Sequence, residues 1–340
     1  MRGVLDLPDH LLPVQERISS ALARVEEAFD RQLASDLAPV AELCAHVERY
    51  RGKMLRPVLA ILCGEAASPE PDENPVADEL IRLAAVCEMV HMATLVHDDV
   101  LDEAEVRRRG ATINHLRGNE AAVILGDYLI AGAYALCASI GRTELDQRIA
   151  RVSMDVCAGE LLQLHHGDDW ALDEATYFEI VGRKTGALIG VACELGALVG
   201  GADPRLASAL FDAGVDLGVA FQIRDDLLDL TGLEAAVGKS VGKDLEKGKP
   251  TLPVIHHLAS LEGSRRDEML ELLCRGAHPE NDEARARVLE GVRATGSIEY
   301  AERIGAERVE RARQTIGRLA PSSARELLDH LALAVLDRTY

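Results

Sequence analysis

The sequence predicts an all-α protein, and three observations support this prediction. Apolar residues recur with the helical period of 3.6 along most of the 340-residue chain. Strand-like alternation is absent from the sequence, aromatic residues are only 3% of it, and Ala, Leu, Glu and Arg fill the periodic segments. The most linker-like stretch, residues 68–75, is short and reads as a surface loop. We therefore expect one helical domain over residues 1–340.

The composition restricts the partners and the location of the protein. It has 37 basic and 57 acidic side chains and therefore a formal net charge of −20. Such a charge disfavours nucleic acid and anionic lipid as partners of the whole surface. Seven cysteines form no CxxC pair, and the N-terminal residues lack the uninterrupted apolar segment of a signal peptide. These features predict a cytoplasmic protein that binds no nucleic acid.

Two long apolar stretches, residues 121–140 and 186–201, are rich in Ala and Gly. The first is long enough for a membrane span. However, Asp127 lies inside the first stretch and Glu194 inside the second, and a carboxylate in lipid is costly. The sequence therefore favours two buried central helices over membrane spans. Their small residues also predict that neighbouring helices approach them closely.

Two aspartate-rich pentapeptides carry the most informative chemistry. Both read Asp-Asp-x-Leu-Asp, and both lie in an apolar helical stretch rather than in a polar loop. The first and last carboxylates of each share one helix face because positions i and i+4 are neighbours, whereas the second lies about 100° around the helix. The six side chains are Asp98, Asp99, Asp102, Asp225, Asp226 and Asp229.

Carboxylate oxygens are the ligands that Mg²⁺ prefers, and Mg²⁺ leaves its other positions to water and phosphate. A lone acidic run is more typical of solvated surface, and the similar segment at residues 168–173 has different spacing and a loop-like setting. The two pentapeptides have core-like flanks instead, where uncompensated carboxylates would be costly. They therefore predict a site in which metal ions hold a diphosphate.

Cations and hydrogen-bonding side chains accompany the two clusters. Basic side chains can bind diphosphate oxygens, although counter-ions on an acidic protein would look the same; their proximity to the aspartates favours a binding role. A Gly- and Lys-rich segment, residues 238–249, follows the second cluster and is interpreted as a basic lid. The candidate residues are Lys53, Arg56, His91, Arg107, Arg108, Lys184, Thr185, Gln222, Lys239 and Lys249.

In order, the chain contains GKxxRP, HxxxxxHDDxxD, RR, GRKTG, FQxxDD, and GKxxGKD before KPTLP. This series resembles the trans-isoprenyl diphosphate synthases, the polyprenyl synthetase family, from about Gly52 to Pro253. Within the family the chain is most similar to the medium- and long-chain polyprenyl diphosphate synthases. The resemblance implies the isoprenoid synthase fold, a single-domain orthogonal helical bundle around a central active-site cavity, and a homodimer.

The resemblance also implies head-to-tail condensation of isopentenyl diphosphate with an allylic diphosphate, with about three Mg²⁺ ions held by the six aspartates. It assigns to the allylic diphosphate the cations Arg107, Lys184, Lys239 and Lys249. It assigns to isopentenyl diphosphate the side chains of Lys53, Arg56, His91 and Arg108. Thr185 and Gln222 would face the allylic cation. Direct catalytic roles would fall to Arg107, Lys184, Thr185, Gln222 and Lys239.

In this family the residues that precede the first aspartate cluster line the tunnel for the growing chain. Here Val90, Ala93 and Thr94 are small, which predicts an open upper tunnel and a medium- or long-chain product. The alternatives are a geranylgeranyl or farnesyl diphosphate synthase, a terpene cyclase, or a non-catalytic partner subunit. A cyclase would not need the isopentenyl diphosphate site, and a silent subunit would typically lose aspartates that this chain keeps. We expect membrane contact only peripherally, on product release.

Overall fold

A computed structural model describes residues 8–47, 52–71, 75–107, 110–232, 242–276 and 281–336. Within these residues the regular structure is almost entirely helical. Its only strands form a small antiparallel hairpin of β1 (Val106–Arg107) and β2 (Gly110–Ala111), in which Val106 pairs with Ala111. The predicted all-α fold is confirmed.

The helices of the N-terminal part follow one another with short connections. They are α1 (Leu12–Leu33), α2 (Ala38–Val47), α3 (Leu55–Ala67), α4 (Asp78–Leu101), α5 (Ile113–Arg117), α6 (Asn119–Ala138) and α7 (Thr143–His165). The helices of the C-terminal part are α8 (Glu174–Val181), α9 (Ala187–Gly200), α10 (Pro204–Thr231), α11 (Lys243–Glu246), α12 (Leu252–Ala259), α13 (Ser264–Gly276), α14 (Asp282–Ala294), α15 (Ser297–Ile316) and α16 (Ser323–Ala334).

The chain groups into two compact units, so the single domain stays a prediction. The first unit comprises residues 1–153, 188–211 and 315–329. Its centre is α4, which packs against α1, α3 and α6. The α4 residues Met89 and Met92 have no solvent-exposed surface, because apolar side chains occupy most faces of this helix and the three neighbours cover them. The core-like flank predicted for the first aspartate cluster is thus confirmed.

Helices α3 and α9 of the first unit approach each other closely through glycines. A Cβ atom on Gly196 would lie 2.1 Å from the main-chain oxygen of Ala60, and one on Gly200 would lie 2.0 Å from that of Gly64. Only residues without a side chain permit this separation of the two backbones. The close helix packing predicted for residues 186–201 is confirmed, and α9 is buried over most of its length.

The second unit comprises residues 154–187, 212–314 and 330–340. One apolar cluster gathers side chains from α11, α12, α13 and α14 around Trp170. A second cluster joins α8 to α10 and α12 through Tyr177, Ile223 and Leu252. At the surface of this unit, Arg308 and Arg311 both pair with Asp216. These contacts hold the last part of α10, which carries the second aspartate cluster.

The prediction that residues 121–140 form a buried central helix is wrong for one face of α6. Val123, Ile124, Tyr128 and Tyr134 are exposed in the described chain, and Ile124 retains 67% of its accessible surface. The opposite face packs on α4. Composition predicted an apolar helix correctly, but it could not indicate that one apolar face would lie at the surface.

Three helices, α4, α6 and α10, have the length and apolar composition that a membrane span would need. Each carries carboxylates, and in α4 about 72% of the most apolar window is buried inside the structure. The apolar side chains of α4 are thus used for internal packing.

Candidate active site

The first aspartate cluster lies at the C-terminal end of α4. Asp102 follows the last helical residue but keeps helical backbone angles (φ −85°, ψ 0°), and its N–H donates to the main-chain oxygen of Asp98 at 2.8 Å. The i, i+4 geometry predicted from the sequence is therefore present. Asp98 is half-buried and Asp102 is exposed, so the pair can present oxygens to a ligand.

Asp99 has a different environment from its neighbours. It is only 1% exposed, and the Arg107 guanidinium donates through Nε to Asp99 Oδ1 at 2.8 Å. Asn114 Nδ2 donates to the main-chain oxygens of Asp99 and Ala104, both at 3.1 Å. Arg107 ends strand β1, so the hairpin and α4 are joined through this carboxylate. Asp99 is thus placed to orient Arg107.

The other predicted residues of the first unit lie on α3 and α4. Lys53 is exposed just before α3, and Arg56 is half-buried in the first turn of that helix. His91 is half-buried on α4, and its main-chain oxygen accepts a hydrogen bond from Thr94 Oγ1 at 2.7 Å. Arg108 lies outside the described residues. The role of these side chains in binding stays a prediction.

The three candidate chain-length residues differ in burial. Thr94 is half-buried, whereas Val90 and Ala93 are 1% and 0% exposed. Of the three, only Thr94 contributes accessible surface in this structure. The role of all three in product length stays a prediction.

The second cluster belongs to a hydrogen-bonded chain of side chains in the second unit. Asp226, only 4% exposed, accepts from Tyr177 OH at 2.7 Å and from Gln222 Nε2 at 2.9 Å. Thr185 Oγ1 donates to Gln222 Oε1 at 3.4 Å. Both oxygens of Asp226 are thus engaged, and the amide of Gln222 is held in one orientation. Asp225 is half-buried beside this network.

The buried carboxyl of Asp226 is electrostatically unusual. Burial, reinforced by the nearby charge of Asp244, raises its pKa to about 8, although the hydrogen bonds from Gln222 and Tyr177 favour the charged form. A carboxylate in this position is costly unless positive charge accumulates nearby. The cluster is therefore electrostatically prepared to receive a cation.

Asp229 joins the second cluster to the segment that follows α10. Its carboxylate accepts the N–H of Lys243 at 3.2 Å and that of Asp244 at 3.1 Å, and its main-chain oxygen accepts the N–H of Gly242 at 2.9 Å. The predicted basic lid falls largely outside the described residues, and Lys239 lies there. Lys249 is described and is half-buried.

Lys184 and Thr185 lie in a π-helical turn, Gly182–Gly186, between α8 and α9. Such turns insert an extra residue and are frequent at functional sites. The Lys184 ammonium pairs with Glu160 of α7. A Cβ on Gly159 would lie 2.7 Å from the Lys184 nitrogen, so α7 lies directly against this turn. The π-turn and α7 together fix where the cation points.

These residues of the second unit surround a cavity of about 140 Å³. One wall is apolar and consists of Leu172, Tyr177, Ile180 and Val181. The polar wall contains Lys184, Thr185, Gln222, Asp226 and Lys249. Two lysines, a threonine and a glutamine thus line one small volume beside an apolar surface, together with the carboxylates of Asp226 and Asp244. This lining suits cations and an anionic group attached to an apolar chain.

Both clusters lie at C-terminal helix ends, in the last two turns of α4 and α10. Such ends carry partial negative charge from the backbone, so carboxylates there repel the helix dipole and bound cations are favoured. Among the described residues, no three His, Cys, Asp or Glu side chains converge into a complete metal cage. Mg²⁺ commonly takes only one or two protein carboxylates, and the Asp98–Asp102 pair meets that need.

Sequence reasoning missed three residues that organise the site: Tyr177, Glu160 and Asn114. Tyr177 contacts Asp226 from 49 residues away, and Glu160 contacts Lys184 from α7, on the far side of α8 in the chain. A tyrosine in an apolar helix reads as core, because periodicity does not report what its hydroxyl meets. The only available signal was the carboxylate of Glu160 in an otherwise apolar turn of α7. One helix, α8, separates that turn from the GRKTG motif.

Comparison with known proteins identifies related chains. Residues 38–290 match the family described as Polyprenyl synthetase. The heptaprenyl diphosphate synthase component 2 of Geobacillus stearothermophilus is 34% identical over 95% of this chain and 97% of its own length. This chain is thus similar in full length to a synthase of a medium-chain polyprenyl diphosphate.

Two solved structures extend the similarity to the fold. A decaprenyl diphosphate synthase from Rhodobacter capsulatus superposes with a TM-score of 0.87 at 32% identity, covering 98% of this chain and 99% of that one. A polyprenyl synthase from Caulobacter crescentus, complexed with calcium and isoprenyl diphosphate, gives a TM-score of 0.85 at 31% identity, with coverages of 96% and 98%.

Proposed function

Because the chain belongs to the polyprenyl synthetase family, we propose that it condenses isopentenyl diphosphate head to tail with an allylic diphosphate, to give an all-trans polyprenyl diphosphate of medium or long chain. The protein is a prenyltransferase with an all-α fold. The observation that carries the proposal is the pair of helix-borne aspartate clusters, each with a buried member that orients a further functional side chain.

The reaction requires that the allylic C–O bond breaks and that pyrophosphate leaves with the electron pair. The double bond of isopentenyl diphosphate attacks the allylic cation, a new C–C bond forms, and a proton is lost to pyrophosphate. Positive charge fixed in advance stabilises the departing group. Lys184 and Lys249 supply such charge at the cavity, and Arg107 supplies it beside the first cluster.

Mg²⁺, held by the six aspartates as about three ions, would neutralise the charge that develops on the pyrophosphate oxygens. Asp98 and Asp225 are half-buried and Asp102 is exposed, whereas Asp99 and Asp226 are buried and orient Arg107 and Gln222. Thr185 and Gln222 face the allylic cation. Because Asp226, which is held by Tyr177, accepts the hydrogen bond of the Gln222 amide nitrogen, the amide oxygen is directed toward Thr185.

The direct test is to incubate the purified protein with Mg²⁺, isopentenyl diphosphate and allylic starters of increasing length, and to measure product masses. We expect a polyprenyl diphosphate longer than C20. A C20 product would identify a geranylgeranyl diphosphate synthase, and a C15 product a farnesyl diphosphate synthase. A cyclic hydrocarbon, or no product under any metal condition, would refute the proposal.

Replacement of Lys53 or Arg56 by Ala separates the two diphosphate sites. We expect KM for isopentenyl diphosphate to rise while kcat changes little, because these cations bind a group whose charge does not change during the reaction. The exposed Arg31→Ala on α1 is the matched control for lost surface charge. If only the KM for the allylic substrate rose, the two sites would be reversed.

Product length should respond to residues one turn before the first cluster. Ala93→Phe introduces a ring there and is expected to shorten the product. Because Ala93 is fully buried, overpacking will also lower stability, so Thr94→Phe at the half-buried neighbour is the second variant. Thr94 lies about 6 Å below Asp98, at 1.5 Å rise per residue. An unchanged product distribution in both active variants would show that the chain extends elsewhere.

The exposed face of α6 fits a second copy of this chain. The exposed apolar side chains on this side of the helix are Val123, Ile124, Tyr128 and Tyr134. In a chain with a net charge of −20, an apolar surface costs less free energy to bury between two copies than a charged surface does. We propose a homodimer through this face in a cytoplasmic protein. The name "component 2" of the Geobacillus relative suggests the rival, a different partner subunit.

Light scattering after size exclusion tests the homodimer. Ile124→Asp is expected to give a monomer, whereas Leu37→Asp, which changes an equally exposed apolar side chain outside α6, should leave the dimer intact. A monomeric wild-type protein at micromolar concentration would contradict the homodimer and would favour a different subunit.

A further inference from the structure

The aspartates of one acidic segment have no role in the proposed reaction. Residues 166–173, here called the clasp, connect α7 to α8 with the sequence His-Gly-Asp-Asp-Trp-Ala-Leu-Asp. Its spacing excludes it as a third aspartate cluster. Asp168 nevertheless adopts a left-handed backbone conformation with φ +60°, which costs energy for a residue other than glycine. A strained non-glycine residue of this kind persists only where surrounding contacts fix it.

Hydrogen bonds inside the clasp make it a defined structure. His166 Nδ1 and Asp169 Oδ2 are 2.8 Å apart, and this hydrogen bond lowers the pKa of Asp169. Asp169 Oδ1 also accepts the N–H of Ala171 at 3.1 Å. At the far end, Asp173 accepts the N–H of Thr176 at 2.7 Å and so caps α8. The clasp is therefore fixed to α8.

The clasp contacts the turn that precedes Lys249. The Asp168 N–H donates to the main-chain oxygen of Gly248 at 3.0 Å. A Cβ on Gly248 would lie only 1.7 Å from Asp168 Oδ1, and Gly248 has φ +62°. Glycine thus suits the positive φ, and a Cβ at this position would have to displace the Asp168 carboxylate. The indole of Trp170 is buried in the same apolar cluster as Leu245 of α11.

The segment from Gly242 to Pro250 is consequently held at both ends. At its start, the Asp229 carboxylate accepts two main-chain N–H groups. At its end, the Lys249 N–H donates to the Asp244 oxygen at 2.8 Å, and the clasp holds Gly248. Lys249 itself faces the cavity that Lys184 and Gln222 also line.

We propose that Asp168 and Gly248 are positioning residues for prenyl transfer: they fix the main chain that presents the Lys249 ammonium to the pyrophosphate group. The inference rests on the proposed function, because it assumes that a pyrophosphate group occupies the cavity. Asp168 does not line the cavity and acts through Lys249.

The first test is Gly248→Ala, with binding of inorganic pyrophosphate in the presence of Mg²⁺ measured by calorimetry. The added methyl group displaces the turn, so we expect affinity to fall about 10-fold or more, the order for losing a hydrogen bond to a charged group. Gly263→Ala is the matched control, since Gly263 has φ +56° and nothing lies within 4 Å of its added Cβ. The control should keep wild-type affinity.

Two double variants test whether the loss of pyrophosphate affinity depends on the contact between Asp168 and Gly248 and on Lys249. Asp168→Gly removes the carboxylate but keeps the N–H, so in the Gly248→Ala background it should restore part of the affinity. In a Lys249→Met background, Gly248→Ala should cause no further loss. If Gly248→Ala does not fold, Trp170→Leu takes its place, because it loosens α11 and should weaken pyrophosphate binding only when Lys249 is present.

The possible outcomes are distinct. Wild-type affinity in Gly248→Ala, or an equal loss in the Lys249→Met background, would overturn the positioning role while leaving prenyl transfer intact. Failure of the wild-type protein to bind pyrophosphate with Mg²⁺ would overturn the proposed function, and the inference with it.

Discussion

Replacing Asp98 or Asp225 by Ala is expected to lower turnover by about 10²–10³-fold, the range for losing one group that stabilises a transition state. Each substitution removes a carboxylate near the C-terminal end of a helix, where a bound cation is favoured most strongly. Steady-state rates over a range of Mg²⁺ concentrations provide the measurement. Higher Mg²⁺ should recover part of the activity if the lost group is a ligand.

Two comparisons make this prediction specific. Asp212→Ala removes an exposed carboxylate from the same helix as Asp225 and should leave turnover unchanged. Asp99→Ala breaks a buried ion pair with Arg107 and should lower thermal stability as well as activity, which Asp98→Ala should not do. Near-normal turnover in Asp98→Ala or Asp225→Ala would refute the metal assignment.

The second large effect concerns folding. Gly196→Ala places a Cβ 2.1 Å from the Ala60 main-chain oxygen, so α3 and α9 must move apart. Overpacking of this kind costs about 1–3 kcal/mol. It should outweigh the gain of about 1 kcal/mol in helix propensity when Ala replaces Gly. Urea denaturation should therefore show a lower free energy of unfolding.

Gly305→Ala on α15 is the matched control for Gly196→Ala. There the added Cβ would meet only Ile223 Cγ2, at an ordinary contact distance of 3.8 Å. The helix-propensity term then acts alone, and the variant should be as stable as the wild type or more so. Equal effects at the two glycines would show that the α3–α9 approach is not a tight contact.

The helical fold and the positions of the aspartates could be predicted from the sequence because both depend on local patterns. Helical periodicity is a property of neighbouring residues, and the i, i+4 pairing of Asp98 with Asp102 follows from it. The core-like flanks of both clusters could be predicted for the same reason, since apolar residues such as Met89, Val90 and Met92 occupy most positions before the first cluster.

Which aspartate of each cluster is buried could not be predicted from the sequence, because burial depends on contacts between distant residues. Asp99 and Asp226 are second in their pentapeptides and are buried, and one of the two hydrogen bonds that Asp226 accepts comes from Tyr177, 49 residues away. The clasp illustrates the same limit. In the sequence, its aspartates are typical of an isolated loop. The hydrogen bond from Asp168 to Gly248 forms only because the fold brings the two turns together.

The exposed apolar face of α6 would make protein concentration a variable of the enzyme's behaviour if the proposed homodimer forms through it. If a second copy covers this face, mass action links assembly to folding, and the apparent stability rises with the concentration of the chain. Each 100 Å² of apolar surface covered contributes about 2.5 kcal/mol, so Ile124 and its exposed neighbours would carry much of that dependence. Rates measured at nanomolar and micromolar enzyme would then describe different proportions of monomer and dimer.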